Sequence, residues 1–142
     1  MKKIITFLLG IIIVISCNRQ EGCPDEKALN YEMFPEKDNF DMCCYSRVSF
    51  YISNDWYWDN GNQVCWDAVE LYINQNKIGN ITSIWPYGPG NCSASGTVQY
   101  QFNDGESIDW EAKIYLQNGV VLLSTGMVSP SRNTECIVVN VY

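Results

Sequence analysis

The chain has 142 residues, of which 46% are hydrophobic and 18% are charged. Nine basic residues face 16 acidic ones, which gives a formal net charge of −7, and the sequence contains no histidine. This length fits one domain with its own hydrophobic core. The acidic balance argues against nucleic-acid binding, which depends on clustered Lys and Arg side chains that neutralise phosphates.

The first 16 residues have the features of an export signal. Lys2 and Lys3 give a positive start, and the apolar stretch that follows is too short to remain as a membrane-spanning anchor. The order Val14-Ile15-Ser16-Cys17 resembles the bacterial lipobox. The resemblance implies cleavage before Cys17, acylation of its sulfur and retention at a membrane surface, which two acyl chains make stable. The alternative is an ordinary signal peptide followed by an unmodified cysteine.

The residue after Cys17 bears on the location. Asn18 occupies the place where an aspartate would resemble the inner-membrane retention signal of enterobacteria. Its identity favours the outer membrane of a bacterial envelope, with the domain facing either the periplasm or the surface. Residues 17–21 would then be a tether. Without Lys2 and Lys3, the net charge of the mature chain falls from −7 to −9.

A polar, acidic segment at residues 22–45 precedes the rest of the domain and lacks strand-like alternation. It resembles a short cysteine-bounded motif of Bacteroidetes surface and secreted proteins, roughly G-C-x-D-x-x-A-x-N-Y followed by C-x-Y. The residues that match are Gly22, Cys23, Asp25, Ala28, Asn30, Tyr31, Cys43 and Tyr45. The resemblance implies a disulfide between Cys23 and Cys43.

Oxygen-bearing side chains in this segment raise the question of calcium. The candidate ligands are Asp25, Asn30, Asp38, Asn39 and Asp41. Their spacing lacks the regularity of an EF-hand loop. A solvated acidic loop without metal is therefore the favoured interpretation, with calcium as the alternative.

The cysteines other than Cys17 form an even set, which in an exported chain predicts a disulfide framework. They are Cys23, Cys43, Cys44, Cys65, Cys92 and Cys136. A zinc site lacks support because the chain has neither histidine nor CxxC spacing. Adjacent Cys43 and Cys44 require separate partners. With Cys23 and Cys43 paired, we favour Cys92–Cys136 with Cys44–Cys65, and Cys65–Cys92 with Cys44–Cys136 remains the alternative.

Residues 46–142 alternate apolar and polar side chains with the period of two that half-buried strands require. Turn residues at Asn74–Lys77, Asp104–Gly105 and Asn118–Gly119 predict hairpins between the strands. We therefore expect an all-β fold, an antiparallel β-sandwich of about seven strands. Trp110 belongs to the inward face of its strand.

Parts of this region also resemble small β-sandwich domains of Bacteroidetes lipoproteins. The matching residues are Leu71–Asn74, Ile78–Thr82, Cys92, Gly96, Gly105, Trp110 and Ala112. The resemblance implies a fold. It implies no activity, because such sandwiches host many functions.

Catalysis is not expected. Without histidine the ordinary Ser-His-Asp and Cys-His arrangements are excluded. Asp55 and Asp59 flank an aromatic triplet, a composition seen in sugar clefts, but a glycosidase needs two carboxyl groups held across a cleft.

Aromatic residues in predicted loops are the candidate ligand-binding residues. They are Trp56, Tyr57, Trp58, Trp85 and Tyr87, with Trp66 close to them in sequence. Exposed rings stack on sugars or form protein-binding hot spots; alternatively, these rings cover the ends of the sandwich. The sequence thus favours a non-enzymatic, lipid-anchored binding or adhesion module for a glycan or a protein. The alternatives are a structural envelope lipoprotein and a small carbohydrate-active hydrolase.

Overall fold

The computed structural model describes residues 21–142, so the lipobox, Cys17 and nearly all of the predicted tether lie outside the described residues. The strands run in chain order as β1 (Glu21–Gly22), β2 (Lys37–Asp38), β3 (Arg47–Tyr51), β4 (Trp56–Asp59), β5 (Asn62–Ile73), β6 (Asn76–Ile81), β7 (Val98–Gln101), β8 (Ile108–Leu116), β9 (Val121–Val128) and β10 (Cys136–Asn140). A short 3-10 helix spans Phe40–Met42. The predicted all-β fold is confirmed, with ten strands in place of about seven.

The strands form two main sheets. Five strands make an antiparallel sheet in which β5 pairs with β4, β6 and β8, and β8 pairs with β9. The smaller sheet has the order β10-β3-β7. Here β10 runs parallel to β3, unlike the antiparallel pairs that the alternation suggests. A parallel pair needs a long connection, and almost the whole domain lies between these two strands.

The two main sheets share one core. Val48 and Phe50 of β3, and Ile52 just after it, are fully buried together with Val69 and Leu71 of β5. Across the interface, the ring of Phe50 lies 5.7 Å from that of Trp110, centre to centre. The prediction that Trp110 is a core residue is therefore confirmed.

Short turns that contain residues with positive φ close three hairpins. Asn74 and Gln75 join β5 to β6, and Gly119 completes the predicted turn between β8 and β9. A further turn at Asn60–Gly61, with φ of 47° and 85°, joins β4 to β5. Positive φ at both central residues is the signature of the hairpin turn that Asn-Gly favours.

The predicted hairpin at Asp104–Gly105 is wrong. The strands on either side of it, β7 and β8, belong to different sheets. Gly105 instead lies on the path by which the chain crosses from one sheet to the other, and its carbonyl accepts a 2.5 Å hydrogen bond from Lys27 Nζ. A turn signal alone does not say whether the flanking strands pair.

Between residues 21 and 142, two disulfides are formed, Cys23–Cys43 and Cys92–Cys136. The first is the pair implied by the motif resemblance, and the second is the favoured pair of the remaining set. The predicted Cys44–Cys65 bridge is wrong, as is the alternative set, because Cys44 and Cys65 are free and exposed.

The local geometry explains the free thiols. The backbone at Cys43 is extended, so adjacent side chains point to opposite sides. Cys43 turns inward to Cys23, whereas the Cys44 thiol lies 3.8 Å from the Met42 carbonyl oxygen at the surface. Cys65 faces outward on β5, directly opposite Trp56.

Candidate functional site

The cysteine-bounded segment is part of the folded domain. Cys23 and Ala28 are buried and belong to the same core cluster as the sheets. The Asp25 carboxylate accepts hydrogen bonds from the Lys27 backbone N–H at 2.9 Å and from the Tyr45 phenol at 2.7 Å. Residues that match the motif therefore hold the segment to itself and to the core.

Asn30 connects the two halves of this segment. Its side-chain amide donates to the Met42 carbonyl at 2.7 Å, and its side-chain oxygen accepts from the Cys44 backbone N–H at 2.8 Å. Asn39 is also engaged, because its oxygen caps the Asp41 backbone N–H. Across residues 21–142, no group of three or more acidic or cysteine side chains has the geometry to hold a metal ion. The metal-free acidic loop stays the prediction for this segment, with calcium binding as the alternative.

The aromatic triplet lies in a strand rather than in a loop. Trp56, Tyr57 and Trp58 form most of β4, which the Asn60–Gly61 turn joins to β5. Alternation along the strand therefore divides the three rings between the two faces of the sheet. Trp56 and Trp58 contact each other edge to face, with ring centres 5.8 Å apart, and Trp58 is 57% exposed. Tyr57 packs on the other side against Tyr142.

The other two candidates lie in the long segment between β6 and β7. The Trp85 backbone N–H donates to the Ile52 carbonyl and its indole N–H donates to the Ser95 carbonyl. Tyr87 is fully exposed. Within the described chain, the ring contacts that involve the β4 aromatics include neither of these residues. The three rings of β4 therefore do not share one face, and ligand binding by Trp85 and Tyr87 stays a prediction.

A groove of about 720 Å³ lies elsewhere, on the outward face of the five-stranded sheet. Tyr72, Glu111 and Thr125 occupy one row of this face, on β5, β8 and β9. The Asn74–Gln75 turn forms one wall of the groove. Asp109, Trp110, Lys113 and Gly126 complete its lining.

The charged residues of the groove are arranged around Lys113. Its ammonium lies 3.4 Å from a carboxylate oxygen of Glu111 and 4.4 Å from the centre of the Tyr72 ring. Two carboxylates, those of Asp109 and Glu111, therefore accompany one ammonium in the lining, which leaves the groove with a net negative charge. A cation near an aromatic face gains modest electrostatic stabilisation.

A second polar cluster, centred on Glu70, holds the Tyr72 side chain in place beside the groove. One carboxylate oxygen of Glu70 accepts hydrogen bonds from the phenols of Tyr72 and Tyr115, at 2.8 and 2.9 Å, and the other oxygen bonds Lys77. The Lys77 bond first, and then the two phenols, lower the pKa of Glu70 to about 2. The same contacts raise the pKa values of both tyrosines. This cluster therefore fixes Tyr72 beside the groove.

The groove is open along the β9 side. In the part of the chain that the structure describes, β9 pairs only with β8 and is an edge strand. Leu123 and Met127 lie on the same face as Thr125 and are 64% and 69% exposed. A ligand that reaches Thr125 therefore does not need to displace another strand.

Sequence reasoning did not find this groove. The alternation of β8 correctly separated outward Asp109, Glu111 and Lys113 from the inward set. Their meeting with Tyr72 depends on the pairing register of three strands, which alternation does not specify. The Asn74–Gln75 turn was the available signal, because a tight turn there places polar side chains at the end of the same face.

The two carboxylates named for catalysis, Asp55 and Asp59, lie just before β4 and at its end. Both oxygens of Asp59 accept hydrogen bonds, from Asn60 at 3.0 Å and from Asn118 at 2.9 Å. Asp59 thus ties the turn after β4 to the turn after β8. Asp55 contributes its backbone carbonyl to Trp66.

Compared with protein-family models, curated proteins and solved structures, the chain has no match. Among residues 21–142, no helix has the length and apolar character needed to cross a membrane. The function must therefore be argued from the residues and their geometry.

Proposed function

We propose that the protein is a lipid-anchored lipoprotein of the bacterial cell envelope whose β domain acts as a non-enzymatic binding module. The anchor is the acylated Cys17, supported by the charged start, the short apolar stretch and the lipobox-like order of residues 14–17. Two disulfides in the domain fit an oxidising compartment. The outer membrane is the proposed location, on the identity of Asn18.

The groove on the outward sheet face is the observation that carries the binding role. Its volume of about 720 Å³ lies within the range of ~300–1,000 Å³ that small-molecule sites occupy. Its polar side chains project from paired strands and from a tight turn, and such elements hold a site more precisely than long loops do. A purely structural component would not need a preformed concave site of this kind.

Binding without catalysis fits the chemistry of the lining. The Glu111 carboxylate is ion-paired with the Lys113 ammonium, 3.4 Å away, within the lining itself. Asp109 and Glu111 project from the same side of one strand instead of facing each other across the groove.

Mass spectrometry of the intact protein from membrane fractions tests the anchor. We expect an acylated N-terminal Cys17 in the natural chain and no acylation in a Cys17→Ser variant. An unmodified Cys17 in membrane-extracted protein would contradict the lipoprotein assignment.

A groove-filling substitution tests the binding role. Fractionated envelope components are titrated into the full-length protein while its backbone amide spectrum is followed by NMR. We expect one fraction to shift groove amides, and Thr125→Trp to abolish that response. Leu123→Trp is the matched control, because Leu123 lies on the same strand and face but outside the groove lining. Equal responses of both variants would contradict a site in the groove.

A further inference from the structure

We infer that the groove binds a neutral sugar, such as part of an uncharged oligosaccharide. The inference rests on the proposed function and names the ligand class for the same site. It comes from the kinds of polar group in the lining, from their charge balance and from the position of the Tyr72 ring.

The polar groups suit a ligand that carries many hydroxyl groups. Asp109 and Glu111 offer carboxylate oxygens, which accept hydrogen bonds only, whereas Asn74 and Gln75 offer amides that both donate and accept. Thr125 adds a hydroxyl. Each hydroxyl group of a sugar donates one hydrogen bond and accepts others. A lining that offers both acceptors and donors can therefore satisfy several neighbouring sugar hydroxyls.

The charge balance excludes the acidic ligands that share this hydroxyl pattern. Asp109 and Glu111 outnumber Lys113, and the whole chain is acidic. Lys113 is also engaged by Glu111 and Tyr72, so it is not a free partner for a phosphate or a uronic acid. Like charges within a few ångströms in a partly enclosed site repel, and this disfavours anionic sugars.

The aromatic wall supplies the apolar contact. Tyr72 lines the groove and its phenol is held by Glu70, so the ring has a fixed orientation. The ammonium of Lys113 lies over the ring, and the aliphatic stem of this side chain adds apolar surface beside it. A sugar presents its C–H groups to such a wall while its hydroxyls reach the acceptors on β8.

An NMR titration of the full-length protein with defined oligosaccharides tests the inference. The neutral probes are cellotetraose, mannotetraose and tetra-N-acetylchitotetraose, and the acidic probe is trigalacturonic acid. We expect at least one neutral probe to shift the amides of Glu111, Lys113, Thr125 and Gly126, and the acidic probe to leave them unchanged at the same concentration.

Charge-removing variants sharpen the test. Asp109→Asn and Glu111→Gln should each weaken binding of the neutral probe about tenfold, the usual effect of losing a hydrogen bond to a charged group. Glu106→Gln is the matched control, because Glu106 is exposed and lies outside the groove lining. The double variant Asp109→Asn/Glu111→Gln should admit the acidic probe that the natural groove rejects.

Three results would overturn the inference. They are equal binding of acidic and neutral probes, shifts confined to the Trp56–Trp58 strand, and no response to any saccharide. If saccharides fail but an envelope fraction still shifts groove amides in a manner that Thr125→Trp abolishes, the sugar inference falls and the binding module stands. If neither shifts them, both proposals fall.

Discussion

The phenol of Tyr45 donates a 2.7 Å hydrogen bond to the carboxylate of Asp25, which joins the two ends of the cysteine-bounded segment. The Cys23–Cys43 disulfide makes a second link between the same two ends. Tyr45 is buried against the core, so the contact also docks the segment onto the sheets. The segment is therefore expected to unfold together with the rest of the domain.

Tyr45→Phe should lower the free energy of unfolding by about 1–2 kcal/mol, because it removes one buried hydrogen bond to a carboxylate. Burial and then the Asp25 bond raise the pKa of Tyr45 to about 12 from an ordinary value of 10. The contribution is thus complete below pH 10 and is lost as pH rises towards 12.

Denaturant unfolding of both proteins between pH 7 and 12 checks this prediction. The difference in the free energy of unfolding between the natural protein and the Tyr45→Phe variant should shrink over the upper part of that pH range. Tyr87→Phe is the control, because Tyr87 is fully exposed. An unchanged difference across the whole range would show that the phenol of Tyr45 does not titrate with folding.

Glu70→Gln should lower the free energy of unfolding at neutral pH. The variant should also lose less of its stability than the natural protein as the pH falls. The bonds to Lys77, Tyr72 and Tyr115 hold the pKa of Glu70 at about 2, below its ordinary value of 4.5. A depressed pKa in the folded state contributes stability above pH 4.5, and that contribution is lost as pH falls towards 2.

Unfolding midpoints of the natural protein and the Glu70→Gln variant, measured from pH 7 down to pH 2, test this sign. The two curves should converge in acid. The Glu106→Gln protein, altered at an exposed glutamate, should follow the natural curve throughout. Parallel curves would mean that the bonds to Lys77, Tyr72 and Tyr115 do not lower the pKa of Glu70 in the folded protein.

The alternation of β5 and β8 was enough to predict an all-β fold and to place Trp110 inside, because side chains of a half-buried strand must alternate. It was not enough to predict which strands pair. Asn60–Gly61 has the sequence of a hairpin turn, yet the polar residues around the aromatic triplet favour a loop, and the triplet forms a strand. The groove escaped prediction for the same reason, since it arises from the register of separate strands.

The cysteines show a related limit. An even count of six suggested three bridges, but a disulfide also requires Cα atoms within about 7 Å and side chains that point at each other. Cys65 sits on the outward face of β5 and Cys44 turns away from its neighbour. The backbone direction at Cys44 and Cys65 keeps these two thiols unpaired. The number of cysteines in the sequence does not reveal that direction.

Removal of the Cys92–Cys136 bridge by a Cys92→Ser/Cys136→Ser double variant should lower the free energy of unfolding by about 4 kcal/mol. The bridge closes a loop with a sequence separation of 44 residues, and the chain-entropy model gives a cost of this order. Cys44→Ser/Cys65→Ser should change it by less than about 0.5 kcal/mol, as exposed substitutions usually do.

Thiol counting on the unreduced domain accompanies these measurements. Maleimide labelling of the natural protein should modify Cys44 and Cys65 without denaturant, and peptide mapping should find the other four described cysteines in the two bridges. A labelling-resistant Cys44 or Cys65, or a large loss of stability in their double variant, would mean that these thiols form a bond in solution.

Gly126→Ala should destabilise the fold by about 1–3 kcal/mol through overpacking. A Cβ built at Gly126 would lie 2.7–2.9 Å from three atoms of the Trp110 indole, closer than real Cβ atoms approach their neighbours. The indole cannot retreat freely, because its other contacts include the Phe50 ring in the core. The variant must therefore move Trp110 or spread β8 from β9.

Thermal unfolding and tryptophan fluorescence of Gly126→Ala report these two responses. The control is Ser124→Ala, two residues earlier on the same strand and face. We expect a lower unfolding midpoint and a shifted emission maximum in the Gly126 variant alone. Because Trp110 and Gly126 also line the groove, spreading β8 from β9 at this row should weaken neutral-sugar binding as well. Unaltered stability would show that Trp110 and the two strands adjust to a methyl group at residue 126 without loss of packing.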